Sequence, residues 1–78
     1  MKYYKVSQFV PGKGYAWTYY ECSDEGTIIR QLTYIPDTDE ITKVADPIVK
    51  FLYKPEMLEQ TTQEEFVSLW NKSEIRKE

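Results

Sequence analysis

The chain has 78 residues and a net charge of −3, from ten Lys and Arg against thirteen Asp and Glu, and it contains no histidine. A chain of this length forms one domain and is too short for a second hydrophobic core. The slight acidic excess gives no electrostatic attraction to phosphate backbones, which argues against nucleic acid as a partner. Two Trp, seven Tyr and three Phe supply the bulk that a small core without disulfides needs.

Cys22 is the single cysteine, so an intramolecular disulfide is excluded and a reducing compartment is favoured. We interpret it as a half-buried strand residue rather than a reactive thiol, because the sequence has no histidine to activate it. The sequence has neither the apolar run of a signal peptide nor the roughly 20 apolar residues of a membrane span. We therefore expect a cytoplasmic bacterial protein that does not contact a membrane.

Alternating polar and apolar residues predict three β-strands in the first half of the chain. A first strand from Lys2 to Val10 stops at the flexible break Pro11-Gly12-Lys13-Gly14. A second strand from Tyr15 to Cys22 and a third from Thr27 to Ile35 flank the turn Ser23-Asp24-Glu25-Gly26, whose glycine tolerates a positive φ. These two strands form the clearest hairpin of the sequence.

The hairpin also predicts which side chains share a face. If the turn has those four residues, Cys22 stands opposite Thr27 and Tyr19 stands opposite Arg30. We expect one face to be the core side, and it carries Tyr15, Trp17, Tyr19, Glu21, Ile28, Arg30, Leu32 and Tyr34. The other face carries a smaller and more polar set, Ala16, Thr18, Tyr20, Ile29, Gln31 and Thr33.

The middle of the chain gives weaker signals. Ile41 to Val44 predicts a short fourth strand at a sheet edge, where Lys43 discourages further pairing. Residues 48–53 fit either a helix or a strand, because Asp-Pro resembles a helix start while the β-branched and aromatic residues suit a strand. Pro55 ends that element, and residues 55–59 can form one short helical turn.

The last element is a helix that begins with a capping box. Thr62 can cap the amide of Glu65, and the Glu65 side chain can reach back to Thr62. Apolar residues at helical spacing then form a stripe that should pack on the sheet, Phe66, Leu69 and Trp70, with Ser73 one step further. The predicted fold is α+β, an antiparallel three- to four-stranded meander with the C-terminal helix packed on one face.

No residue cluster has the spacing that a known chemistry requires. Without histidine, the paired carboxylates lie only in turns or at Glu64 and Glu65, which point about 100° apart on a helix. The acidic turn at residues 37–40 lacks the glycine and the distal glutamate of a calcium loop. The Gly12-Lys13-Gly14 segment lacks the spacing of a phosphate loop. We predict no enzyme activity, no metal and no cofactor.

Four residues are candidates for a binding site. Arg30 opposite Tyr19, with Glu21 diagonal to it, forms either a recognition patch or a salt bridge at the rim of the sheet. Tyr20 lies on the more polar face, where an aromatic ring has no evident structural role. Tyrosine is a common hot-spot residue in protein interfaces.

The segment Trp17-Thr18-Tyr19-Tyr20-Glu21, the Glu-Gly turn, Ile29-Arg30-Gln31-Leu32 and Glu64-Glu65-Phe66 with Trp70 together resemble small bacterial, cyanobacterial-type domains of unknown function. The resemblance covers most of the chain except residues 41–60, and it implies the architecture but no functional residue. We expect an interaction or regulatory accessory module whose partner is another protein. The alternative is weak binding of single-stranded nucleic acid through an aromatic sheet face.

Overall fold

A computed structural model describes residues 1–45, 47–48, 50–52 and 55–75. This part of the chain forms a five-stranded antiparallel sheet and a C-terminal helix, so the α+β class is confirmed. The elements are β1 (Lys2–Val10), β2 (Gly14–Cys22), β3 (Ile28–Ile35), β4 (Glu40–Val44), a 3-10 turn (Pro55–Met57), β5 (Glu59–Gln60) and α1 (Gln63–Ile75). None of the helices described here combines the length and the apolar character that crossing a membrane requires.

The strands follow the order β4-β3-β2-β1-β5 across the sheet. The first four strands form the predicted meander, with β4 at one edge. The fifth strand was not expected, and it pairs with the opposite side of β1 through Lys5 and Glu59. The Thr61 amide continues this pairing by donating to the Tyr3 carbonyl at 2.9 Å. A two-residue strand contains too few positions to show alternation, which is why the sequence does not predict it.

The predicted register of the β2–β3 hairpin is wrong by two residues. Tyr19 lies opposite Leu32, and Arg30 lies opposite Glu21 rather than Tyr19. One residue of the shift is already present at Cys22, which pairs with Ile28, and the irregularity between Glu21 and Cys22 adds the second. Because side chains alternate with a period of two, a two-residue shift leaves Tyr19, Leu32 and Arg30 on the predicted face.

The turn of this hairpin has the predicted residues. The Gly26 amide donates to the Ser23 carbonyl at 2.9 Å, and Gly26 has the positive φ expected of it, at 92°. The Cys22 side chain is buried and opposes Ile28, not Thr27 as predicted. Thr27 instead accepts a hydrogen bond from the Ser23 amide at 2.8 Å. The strand therefore begins one residue later than the sequence predicts.

The core lies between α1 and one face of the sheet, which we call the helix face. Phe66 is completely buried there in one cluster with Tyr3, Tyr19 and Leu32. The Phe66 ring lies 5.6 Å from the Tyr3 ring and stacks on Trp70 at 5.8 Å, measured between centroids. The predicted apolar stripe of α1 is thereby confirmed for Phe66, Leu69 and Trp70, whereas the Ser73 side chain lies outside the described part.

Tyr15 does not belong to this core, although the sequence predicts that it does. It is 59% exposed at the far end of the β1–β2 hairpin, and its ring contacts Phe9, which is equally exposed. The two ring centroids are 5.4 Å apart in an edge-to-face arrangement. Tyr15 shares the face of Trp17 and Tyr19 but lies beyond the ring cluster that surrounds Phe66.

Two further predictions concern the chain after β4. The Glu65 amide donates to Thr62 Oγ1 at 3.1 Å, which confirms half of the capping box. At residues 48–53, the described positions form neither a helix nor a regular strand, and residues 49 and 53 lie outside the description. Phe51 makes an isolated bridge to Thr27, and the Lys50 carbonyl accepts a hydrogen bond from Ile28 at 2.6 Å.

Replacing Phe66 by alanine should destabilise the domain by about 3–5 kcal/mol, because it removes the largest fully buried ring and leaves a cavity. Urea unfolding followed by tryptophan fluorescence measures this loss. Ser68→Ala is the matched control, since Ser68 is exposed on the same helix and should change the free energy of unfolding by less than about 0.5 kcal/mol. Equal losses in the two variants would contradict this account of the core.

Candidate functional site

The four predicted site residues do not form one site. Tyr19, Glu21 and Arg30 lie on the helix face, beneath or beside α1, while Tyr20 points to the opposite face. The three residues on the helix face also belong to two separate hydrogen-bond networks.

Glu21 is the centre of the first network. Only 5% of Glu21 is exposed, so its salt bridge with Arg30 joins a buried carboxylate to a partly exposed guanidinium. Arg30 donates through Nε to Oε1 at 2.5 Å and through Nη2 to Oε2 at 3.0 Å, and Tyr3 Oη donates to Oε2 at 2.8 Å. The guanidinium carbon lies 5.3 Å from the Phe66 ring and 4.6 Å from the Trp70 ring. Arg30 thus joins the carboxylate to the rings of α1.

This network keeps Glu21 charged despite its burial. The hydrogen bonds from Arg30 lower the pKa of the Glu21 carboxyl, and they outweigh the opposite effect of desolvation. Burial raises the pKa of Tyr3, and the hydrogen bond to Glu21 adds to that effect. The phenol therefore remains a donor to the carboxylate, and these three side chains stabilise the fold.

Glu65 is the centre of the second network. Tyr19 Oη donates to Glu65 Oε2 at 2.5 Å, Lys5 Nζ lies 3.2 Å from the same oxygen, and Thr61 Oγ1 donates to Oε1 at 2.9 Å. The hydrogen bond from Tyr19 is the main cause that lowers the pKa of Glu65. The predicted return of Glu65 to the Thr62 amide is wrong, because its carboxylate binds the sheet instead.

The sheet face opposite α1, which we call the open face, has an uncharged centre. The register aligns two rows of side chains across four strands, Tyr4, Tyr20, Gln31 and Val44 in one and Val6, Thr18, Thr33 and Thr42 in the other. None of the eight is charged, and all are half-buried or exposed. Burial raises the pKa of Tyr20, in keeping with its half-buried ring. The solvated face of an antiparallel sheet is normally polar, and these two rows fit that pattern except that they carry no charge.

A groove lies at one end of the open face. It has a volume of about 310 Å³ and runs between Tyr4 and the segment of Phe51 and Leu52. Phe51 is 67% exposed. Lys2 and the turn residues Asp24, Glu25 and Gly26 complete its lining. An apolar floor within a charged rim is typical of the centre of a protein interface.

Sequence reasoning missed this groove for a physical reason. Its two walls meet only because Thr27 bridges Phe51 across 24 positions of the chain. The apolar run at residues 48–53 was the available signal, but the position of Phe51 and Leu52 beside Tyr4 could not be predicted without that bridge. Tyr20, which the sequence does predict, lies beside Tyr4 at the edge of the groove.

Within the described residues, no three His, Cys, Asp or Glu side chains lie where they could hold a metal ion. Comparison with protein-family models, curated proteins and solved structures finds no match. The resemblance to small bacterial domains therefore stays a prediction, and function has to be inferred from the geometry of this chain.

The stability of the domain should fall in acid. Because the pKa values of Glu21 and Glu65 are lowered from 4.5, their contribution is present above about pH 4.5 and is lost as the pH falls through the lower folded-state values. Urea unfolding at a series of pH values measures the effect. Glu21→Gln should be less stable at neutral pH and should depend less on acid, whereas Glu64→Gln, at an exposed position, should keep the wild-type profile. Identical acid profiles in all three proteins would contradict the assignment.

Arg30→Ala should destabilise the domain by roughly 3–5 kcal/mol, because it leaves the Glu21 carboxylate buried without its main partner. The double variant Glu21→Met, Arg30→Met should lose less than the single Arg30 variant, since no charge is then left unpaired. Urea unfolding of wild type, Glu21→Met, Arg30→Met and the double variant gives the coupling energy. If the losses simply add, Arg30 does not act through Glu21, and a separate surface role becomes the better explanation.

Proposed function

We propose that the domain is a protein–protein interaction module that binds its partner with the open face. The observation that supports this is the pair of uncharged rows across four strands, with Tyr4 and Tyr20 side by side. Aromatic residues are enriched and charged residues are depleted at the centre of protein interfaces. The partner is a protein with an uncharged surface, because a charged one would have to be desolvated against two rows that offer no counter-charge.

The groove provides an anchoring pocket for this interaction. Phe51 and Leu52 with Tyr4 supply apolar contact, and Lys2 on one side and Asp24 and Glu25 on the other supply polar contacts at the rim. An apolar side chain of the partner would bury there, while the two rows exclude water around it. A surface of this kind is sufficient for a small regulatory or accessory subunit to bind its partner protein. Cys22 is a free thiol that suits a reducing compartment, and a cytoplasmic location belongs to the same proposal.

Single-stranded nucleic acid is the alternative that an aromatic sheet face raises. Such a platform needs cations among exposed rings. In this chain Lys5, Lys43 and Lys72 do lie over aromatic rings, but those rings belong to the helix face and its margins. Lys5 and Lys72 also lie within ion-pair distance of carboxylates. The open face is therefore better suited to protein.

The test begins with a photo-crosslinking residue placed at Tyr20, with Ser68 on the outer side of α1 as the control position. Crosslinking in cells should give a discrete protein adduct from position 20 and none from position 68. The adduct protein is then purified and its affinity for the domain measured by calorimetry. Tyr20→Ala and Phe51→Ala should each weaken binding by about thirtyfold, the equivalent of a hot-spot loss near 2 kcal/mol, and Ser68→Ala should not.

The salt dependence decides between the two partner classes. Binding to a protein through uncharged rows should change little with ionic strength, whereas contacts with phosphates make affinity fall steeply. Displacement of the purified partner by an oligonucleotide, or unchanged affinity in both open-face variants, would overturn the proposal. Circular dichroism of the variants establishes that they are folded.

A further inference from the structure

Among the residues that the structure describes, β5 covers only part of the edge of β1. The ladder between β1 and β5 ends at Lys5, so the stretch from Val6 to Val10 continues past it along the edge of the sheet. In an antiparallel strand, the backbone groups of alternate residues point to the same neighbour. Since the Tyr3 carbonyl bonds toward β5, the N–H and C=O groups of Ser7 and Phe9 point to that same side, beyond the end of β5.

This stretch lacks the devices that normally prevent edge-to-edge pairing. Its sequence, Val-Ser-Gln-Phe-Val, contains no charge, no proline and no glycine. Charged side chains and proline are the usual protection of an edge strand. The opposite edge has that protection, because β4 carries Glu40 and Lys43. The two edges of the sheet therefore differ in how readily they accept another strand.

The stretch also complements itself. If two copies meet antiparallel about Gln8, then Val6 faces Val10 and Ser7 faces Phe9, and no like charges stand opposite one another. The residues that would exchange backbone hydrogen bonds are Ser7 and Phe9, the same two whose groups point outward. One register thus satisfies both the backbone and the side chains.

An exposed ring pair lies beside this edge. Phe9 and Tyr15 are both 59% exposed and contact each other at 5.4 Å. In the antiparallel arrangement about Gln8, the Phe9 rings of the two copies become diagonal neighbours on one face, a distance that aromatic side chains span. Association would cover an aromatic pair that the monomer leaves in water.

We infer that the domain forms a symmetric dimer in which the two β1 edges pair antiparallel, with Gln8 facing Gln8 of the partner subunit on the two-fold axis. The two five-stranded sheets then continue into each other. The occupant is a second copy because the stretch is complementary to its own reverse and uncharged throughout. The inference is independent of the proposed function, since the open faces stay accessible on the joined sheet.

Disulfide trapping tests the register directly. Gln8→Cys places two thiols at a non-hydrogen-bonded pair, where Cα atoms lie about 4.5 Å apart, a separation that a disulfide bridges. Mild oxidation should convert this variant to a covalent dimer, and wild type should stay uncrosslinked because Cys22 is buried. Thr42→Cys, at an exposed position on the opposite edge, is the matched control and should not crosslink.

Sedimentation equilibrium of the untrapped protein completes the test. Wild type should show a monomer–dimer equilibrium, and Gln8→Lys should raise its dissociation constant at least about tenfold by placing like charges together on the axis. Thr42→Lys should leave the equilibrium unchanged, and circular dichroism checks that both variants are folded. A wild-type monomer at every concentration, a dimer that Gln8→Lys does not weaken, or crosslinking at position 42 instead would each overturn the inference.

Discussion

The ion pair between the buried Glu21 carboxylate and the partly exposed Arg30 is the interaction on which the rest of the structure depends. A carboxylate removed from water needs close partners, and here a directly opposed strand supplies a bidentate guanidinium while β1 supplies the Tyr3 phenol. These contacts hold three neighbouring strands in one register. The Arg30 guanidinium also makes cation–π contacts with the rings of Phe66 and Trp70. The Glu21–Arg30 ion pair therefore also fixes the position of α1 on the sheet.

Glu65 adds the second attachment between helix and sheet. Its amide is capped by Thr62, and its carboxylate binds Tyr19, Lys5 and Thr61. One residue thus fixes both where the helix begins and how it lies on the strands. The consequence for function is that the polar groups of Tyr3, Tyr19, Glu21 and Arg30 are already used by the fold. The sequence suggests a recognition patch at Arg30 and Tyr19, but in the structure both side chains bind carboxylates of the fold.

The sequence predicted the elements better than the contacts between them. The alternation from Lys2 to Val10 and the stripe of Phe66 and Trp70 are local periodicities, and the structure confirms both. The register of Arg30 could not be predicted, because it depends on the irregularity between Glu21 and Cys22, which no local pattern marks. The same holds for the candidate site, where the face of Tyr20 was predicted correctly from the alternation of the strand but its neighbours were not.

The groove wall formed by Phe51 requires a bridge to Thr27 that no local pattern encodes.

The two surfaces left unused by the fold differ in chemistry and therefore in what they can bind. The open face offers side chains, two tyrosines among short uncharged neighbours, and its selectivity has to come from shape and from the groove beside Tyr4. The β1 edge offers backbone groups, which any extended strand can use, so its selectivity has to come from the side chains that flank them. Val6 and Val10 on one side and Phe9 on the other suit a copy of themselves. Because the edge lies in the plane of the sheet and the open face lies across it, one association does not obstruct the other.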